Sequence, residues 1–381
     1  MKILMVAIPN HHFFQWVNQL KDSGHEVYWF DVMDSGPKSH RIKDVEQIKG
    51  WKLRFDFPFR IGLKKRFPEI YNFIQKFNER KIDAAFKKVI RSINPDIIHC
   101  FEMQLSGFPI LNIMQENDIP FIYSSWGSDM YYFEQRGISI EKVKLFLKRV
   151  DYLITDCERD YQLALKYGYS KTFLGVFPGN GGIEINTKHI LDLEKRDIIL
   201  LKGYQYDVGE AIQIVKAIEL LSQKIKELQV VVYSADKEVE EYINSSKIFK
   251  EISFKVLPRH THILNKDLLE LMGKSIIHIG NNLSDGMPNT LLEAMGMGAF
   301  PIQSNPGEAT AEVIQHGING YLIENPLDHR EIAVWIEKAI GDMMFRKEVQ
   351  EYNTSFINKN YKRSILAPKI HAIYKNIVTN S

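Results

Sequence analysis

Two acids eight positions apart frame the stretch with the most chemical content, Ser284-Asp285-Gly286-Met287-Pro288-Asn289-Thr290-Leu291-Leu292-Glu293-Ala294-Met295-Gly296-Met297-Gly298. Ahead of it, Ile276-Ile277-His278-Ile279-Gly280 reads as a buried strand. Behind the turn, Pro288 to Met295 reads as a helix, with proline at the first helical position, where no intrahelical N–H bond is lost. A strand, a polar turn and a helix N-terminus present backbone N–H groups and the positive dipole end to an anion. The best-suited donors are Met287, Asn289 and Thr290, with Gly286 and Pro288 in the same turn. Glu293 falls about 7 Å beyond the helix start. A phosphate at that N-terminus would have one acid near each of its two substituents, the shape of a nucleotide diphosphate sugar. The simpler reading of the same residues is a helix cap at Asp285 and a solvated Glu293.

The residues that follow favour the first reading. Ala299 to Ser304 is a second short strand, Asn305-Pro306-Gly307-Glu308 a turn, Ala309 to His316 a helix, and Gly317-Ile318-Asn319-Gly320 a turn into Tyr321-Leu322-Ile323. Seven of the 23 glycines fall between 280 and 320, so backbone passes close to something there. This block resembles the retaining GT-B glycosyltransferases, in particular the group called family four. Their pattern is an acid, Gly-x-Pro/Gly, Leu-Leu-Glu-Ala-Met-x-x-Gly, Pro-Val/Ile-x-x-Ser, a Gly/Glu-containing turn and Asn-Gly-x-Leu. Glu293, Ala294, Met295, Gly298, Pro301, Ser304, Asn319 and Gly320 match it, within about 45 contiguous residues. The resemblance implies that Asp285, which stands where the family usually has Glu, contacts the donor sugar. It implies that Glu293 takes the ribose hydroxyls.

Elsewhere the resemblance is weaker and the residues differ. Ser125-Trp126-Gly127-Ser128-Asp129 follows a strand, at the end where open α/β sheets bind ligands. The family often has His where Trp126 stands. Trp126 could stack on a sugar, with Ser128 beside it, and Asp129 could bond the sugar or cap the next segment. His11 and His12 follow the first strand, and imidazoles there suit proton shuttling or phosphate contact. His99 and Glu102 end another strand and are weaker candidates. The family's Arg and Lys for the pyrophosphate are replaced by Tyr204 and Val208, which leaves Lys202, with Arg259 as its substitute, to stabilise the departing diphosphate. No Asp-x-Asp metal motif stands at a strand end, so no metal ligands are expected, and the nucleotide sugar is a donor substrate rather than a cofactor.

The elements that would position these residues alternate. Strands at 2–8, 25–30, 97–100, 120–124 and 152–155 are separated by helices at 13–23, 109–117, 142–149 and 158–167. Residues 31–60 read as irregular. A second series begins after Gly175-Val176-Phe177-Pro178-Gly179-Asn180-Gly181-Gly182, a linker by its glycines and proline. It has strands at 197–202, 228–233 and 253–257 and helices at 209–221, 237–250 and 265–272. Helices at 329–343 and 345–377 close the chain, the latter with a break at Pro368. Alternation of this kind predicts parallel sheets with crossover helices. The expected fold is α/β, GT-B, with two Rossmann-like α/β/α domains facing across a cleft. The expected limits are an acceptor-binding domain at 1–178, a nucleotide-sugar domain at 179–365, and a C-terminal helix at 366–381 that returns to the first domain.

Apolar content of 45% and charged content of 25% are ordinary for a globular protein, and no apolar run approaches the ~20 residues of a membrane span. Cys100 and Cys157 sit in apolar surroundings, which predicts reduced core thiols and a cytoplasmic protein. Between 51 and 91, basic residues interleave with Trp51, Phe55, Phe57, Phe59, Phe67, Tyr71, Phe73 and Phe77. One reading is a solvated basic helix with an aromatic core face. The other is a surface that meets anionic membrane at the inner face of the plasma membrane, or a lipid-pyrophosphate acceptor. Nucleic acid is not an expected partner, because the rest of the chain has no basic surplus. The resulting expectation is a retaining, metal-independent glycosyltransferase. It would move a sugar from a nucleotide diphosphate sugar, UDP rather than GDP, to a glycan or lipid-linked acceptor in cell-surface polysaccharide assembly. The alternatives are a non-catalytic nucleotide-sugar-binding module and a GT-B nucleotide-sugar epimerase.

Overall fold

In the computed structural model, which describes residues 1–261 and 263–379, the chain divides into two α/β units. The first comprises Met1–Thr155, Tyr161–Gly181 and the chain from Ile370; the second comprises Asp156–Asp160 and Gly182–Lys369.

The first unit holds strands β1 (Lys2–Ala7), β2 (Glu26–Asp31), β3 (Glu46–Ile48), β4 (Ile97–Phe101), β5 (Phe121–Ser124), β6 (Tyr152–Thr155) and β7 (Thr172–Val176). They form one parallel sheet in the order β3-β2-β1-β4-β5-β6-β7. The second holds β8 (Ile198–Lys202), β9 (Gln229–Ala235), β10 (Ser253–Pro258), β11 (Ser275–Gly280), β12 (Phe300–Ser304) and β13 (Tyr321–Ile323), also parallel, in the order β10-β9-β8-β11-β12-β13. The apolar runs of β4 and β11 are buried at every residue, as expected of parallel strands covered on both faces. Strand order reverses between β1 and β4 in one sheet and between β8 and β11 in the other. The carboxyl ends of those strands flank the crevice where such sheets take ligands.

Four local expectations need correction. Residues 31–60 contain β3, and β7 was not foreseen; β3 has three residues, two of them polar, and β7 is interrupted by Gly175 at a register shift. Residues 309–316 make no α-helix. They form a short 3-10 turn at Thr310–Glu312, because the side chains of Asn305 and Asn319 take the N–H groups of Ala311 and Gln315. Pro288 is the cap of helix Asn289–Gly296 and lies one position outside it. The last helical stretch divides into Met343–Asn360 and Arg363–Thr379, with Pro368 inside the second helix. The break falls at 361–362, where Ile183 pairs with the chain: its N–H donates to the Tyr361 carbonyl and its carbonyl accepts from the Arg363 N–H, both at 2.9 Å.

From Ile370 onward that last helix belongs to the first unit. Its Tyr374 hydroxyl accepts from Trp16 Nε1 at 2.9 Å and bonds His99 Nδ1 at 2.7 Å, while His99 Nε2 meets the Ser124 hydroxyl at 2.8 Å. Complete burial drives the His99 pKa down to about 3, so this imidazole is neutral where it anchors the helix. Cys100 and Cys157 are buried and free. Among the described residues no helix is long and apolar enough to cross a membrane.

Candidate active site

In the second unit the crevice between β8 and β11 is built by two loops zipped together. The loop after β8 and the loop after β11 pair through Gly209 and Asn282, with Leu283 N–H on the Val208 carbonyl at 2.7 Å and Glu210 N–H on Asn281 at 2.9 Å. Asn282 N–H is tied to the Ser304 hydroxyl at 2.8 Å. The result puts Lys202, the last residue of β8, in the field of Asp285. Burial raises the Asp285 pKa from its ordinary value, and Lys202 opposes that rise. The Asp285 carboxylate accepts from Asn282 Nδ2 at 2.8 Å and from the neighbouring Gly286 N–H at 3.1 Å. The backbone of Gly286 passes close to the Asp156 carboxylate, which would have to move if a Cβ stood there. Met287 and Pro288 are buried in the turn, and Asn289 and Thr290 open the helix behind it.

Glu293 is 6% exposed and faces Asn265, whose Nδ2 donates to Oε1 at 2.9 Å. Burial pushes its pKa up to about 7, against that bond and the nearby Arg363. Glu293 is therefore no solvated surface acid. It is a buried acceptor about one turn beyond the helix start.

The cations sort unequally. Lys202 Nζ and the Arg259 guanidinium lie on the Tyr204 ring, at 5.5 and 4.7 Å from its centroid. Arg259 is already paired with Asp236 at 3.1 Å, and that carboxylate also caps the N–H groups of Gln205 and Tyr206. Val208 is buried.

In the first unit the structure brings His12 and Trp126 together, their rings edge-on at 6.0 Å, with His11 next to His12 at 6.3 Å. His11 starts helix His11–Asn18, capped by Asn10, and its Nδ1 meets the Arg41 guanidinium. Ser128 opens the short helix Ser128–Tyr131 after Gly127, whose φ is +82°. Asp129 is occupied otherwise. It is 1% exposed, and its carboxylate accepts from Met103 N–H at 2.8 Å, Tyr123 hydroxyl at 2.6 Å and Trp126 N–H at 2.9 Å. These bonds tie Asp129 to the chain around it, while helix Ser128–Tyr131 follows Gly127 with no side-chain cap. Beside it, burial and the Asp129 charge raise the Glu102 pKa to about 8, and Glu102 holds a left-handed φ of +68°.

Four contributors carried no local signal. Arg159 Nη1 donates to the Asp285 carbonyl at 2.9 Å and to the Pro306 carbonyl at 2.7 Å, while its ion pair with Asp160 fixes the guanidinium. Asn265 reaches Glu293 from another helix. Tyr233 and His278, both fully buried and bonded at 2.9 Å, lie beneath the turn, where Tyr233 feels Glu293 and Asp285. Arg159 stands 126 positions from Asp285, a separation that local spacing does not reveal.

Two parallel-sheet Rossmann-like units, of seven and six strands, make this a GT-B protein by fold. Residues 2–157 match the family model of the Glycosyl transferase 4-like proteins, and residues 184–362 match that of Glycosyl transferases group 1. The chain belongs to the group 1 glycosyltransferases. Among solved structures it is similar to the sucrose-phosphate synthase of Thermosynechococcus elongatus, with a TM-score of 0.72 and 14% identity over all of both chains. It is similar to Anabaena HepE in complex with UDP-glucose, with a TM-score of 0.69 and 14% identity over 99% of this chain and 100% of that one. A glycosyltransferase from Rickettsia africae gives 0.66 and 18%, over 100% and 99%. At such identities the likeness is one of fold. No curated protein matches the chain.

Proposed function

We propose that the protein moves a sugar from a UDP-sugar to a hydroxyl of a glycan or lipid-linked acceptor, with retention at the anomeric carbon and without a metal ion, in cell-surface polysaccharide assembly. The observation that carries this reading is the grouping of Lys202, Asp285 and the start of helix Asn289–Gly296 at one strand-order reversal, with buried Glu293 about one turn below. In this reading the diphosphate lies at the helix N-terminus, Glu293 accepts from the ribose hydroxyls, and Asp285 accepts from the sugar. As the bond from the anomeric carbon to the diphosphate oxygen breaks, Lys202 and the helix dipole stabilise the growing charge. The acceptor oxygen bonds the anomeric carbon on the same face, and its proton passes to the departing phosphate oxygen. No carboxylate nucleophile is needed. His12 and Trp126, with His11 and Ser128 near them, would meet the acceptor. UDP is favoured as the donor nucleotide because the similar HepE fold has been solved with UDP and UDP-glucose.

A panel of UDP- and GDP-sugars, read by mass spectrometry for donor cleavage and by NMR for product configuration, tests this reading. Cleavage of a UDP-sugar with retention, unchanged in EDTA, is the expected result; inversion or loss of turnover in EDTA would overturn it. The substitution of the family's cations by Tyr204 and buried Val208 favours a second reading, a nucleotide-sugar-binding module. Calorimetric binding of a UDP-sugar with no turnover on any acceptor would select it.

A further inference from the structure

We propose that residues 52–81 form a docking element for anionic phospholipid, independent of the donor site. The element is a helical hairpin on a pinned base. Leu53 and Glu79 form an antiparallel bridge, Arg80 N–H donates to the Lys52 carbonyl at 2.7 Å, and the Asn78 side chain both donates to and accepts from the Phe55 backbone at 2.8 Å. From that base rise helices Arg60–Arg66 and Pro68–Asn78.

The polarity of the second helix is inverted. Its buried residues are Tyr71, Gln75 and Asn78, while Ile70, Phe73 and Phe77 are exposed. The exposed three recur at i, i+3 and i+7, so they make one stripe, with Phe73 and Phe77 in edge contact at 5.6 Å. An amphipathic helix packed for a core alone would do the reverse. The shorter helix has no buried residue at all, and Phe59 before it is 89% exposed at a φ of +64°, a left-handed conformation rare for an aromatic residue. Phe55 and Ile61 are 74% and 69% exposed.

Charge selects the occupant. From 51 to 81 there are nine Lys or Arg and three acids, although the whole chain carries only +2. Lys64, Lys65 and Arg66 are exposed side by side. At the root of the hairpin, a recess of about 470 Å³ is lined by Tyr71, Gln75, Lys76, Arg80 and Lys81 among others, and neither amide atom of buried Gln75 has a hydrogen-bond partner. Apolar aromatics beside a basic cluster are the composition of a helix that lies in a headgroup layer, with rings in the acyl boundary and cations on phosphates.

The test is flotation of the whole protein with neutral phosphatidylcholine vesicles and with vesicles containing phosphatidylglycerol. Binding to the anionic vesicles at low salt, weakened by added salt, is expected. Serine at Lys64, Lys65 and Arg66 together should weaken it about a hundredfold, and Phe73→Ser with Phe77→Ser should abolish it at moderate salt. All five residues are exposed, so thermal melting should be unchanged, and UDP binding without vesicles should be unchanged as well. Absence of vesicle binding at low salt, equal binding to neutral vesicles, or a doubling of mass in solution that Phe73→Ser with Phe77→Ser reverses would overturn the proposal. Failure of UDP binding in the parent would count against the donor reading and leave this one standing.

Discussion

Each unit places a carboxylate just past the end of an inner strand, Asp129 after β5 and Asp285 after β11, and the two are used in opposite ways. Asp129 spends its carboxylate on two backbone N–H groups and a tyrosine hydroxyl drawn from three places in its own unit. Asp285 is held by the Asn282 amide and one adjacent N–H, with Lys202 in its field. A carboxylate bonded by distant backbone is a fastener of the fold. One bonded mainly by a side chain can exchange that partner for a ligand hydroxyl. Sequence position at a strand end does not separate the two; the source of the donors does.

The largest effect expected from this comparison is on stability. Asp129→Ala leaves two buried N–H groups and a hydroxyl unpaired and should lower unfolding free energy by at least about 3 kcal/mol, measured by urea denaturation. Unaltered stability with lost turnover would return Asp129 to the site. Lys202→Ala should instead leave melting unchanged and weaken UDP about tenfold to a hundredfold, with uridine affinity unaltered in calorimetry. Equal losses for UDP and uridine would remove Lys202 from the diphosphate.

Glu293 gives the pH test. Its pKa is raised to about 7 in the folded state, above its unfolded value, so the folded protein holds the proton more tightly. Its contribution to stability is complete below the unfolded pKa and is lost as pH rises through about 7. Glu293→Gln removes that slope, so its melting temperature should gain on the parent between pH 5 and pH 8. Ribose hydroxyls need the ionised acceptor, so parental UDP affinity should rise from pH 6 to pH 8. The variant should show a flat profile and about tenfold weaker binding at pH 8. A flat profile in the parent would make Glu293 structural. The smallest effect is at Tyr204: its ring sets two cations at about 0.5–1 kcal/mol each, and Tyr204→Leu should weaken UDP only a few-fold.

The second unit's site was the more legible in the sequence because it is nearly contiguous. A buried strand, a polar turn and a helix lie in order from Ser275 to Gly296, and spacing along one helix places Glu293. What stayed hidden arrives from far along the chain, as Arg159 and Asn265 do. The alternation of apolar runs gave both parallel sheets, but short or polar strands such as Glu46-Gln47-Ile48 exist only through their neighbours. The break at 361–362 shows the same limit. Pro368 looks like the stop, yet the helix ends earlier because Ile183 takes its backbone bonds. In the first unit, His12 and Trp126 were each visible, and their meeting follows from a strand order that local pattern does not encode.

The buried bond between His99 and Tyr374 also sets a timetable for synthesis. The two residues are 275 positions apart, and at about 5–20 residues per second a ribosome needs roughly 14–55 s to travel between them. Throughout that interval the nascent first unit has an uncovered patch where Trp16 and His99 await their partner. The second unit, whose chain is made in the meantime, has all its strands before that partner emerges. The half of the enzyme translated first is thus the last to be finished.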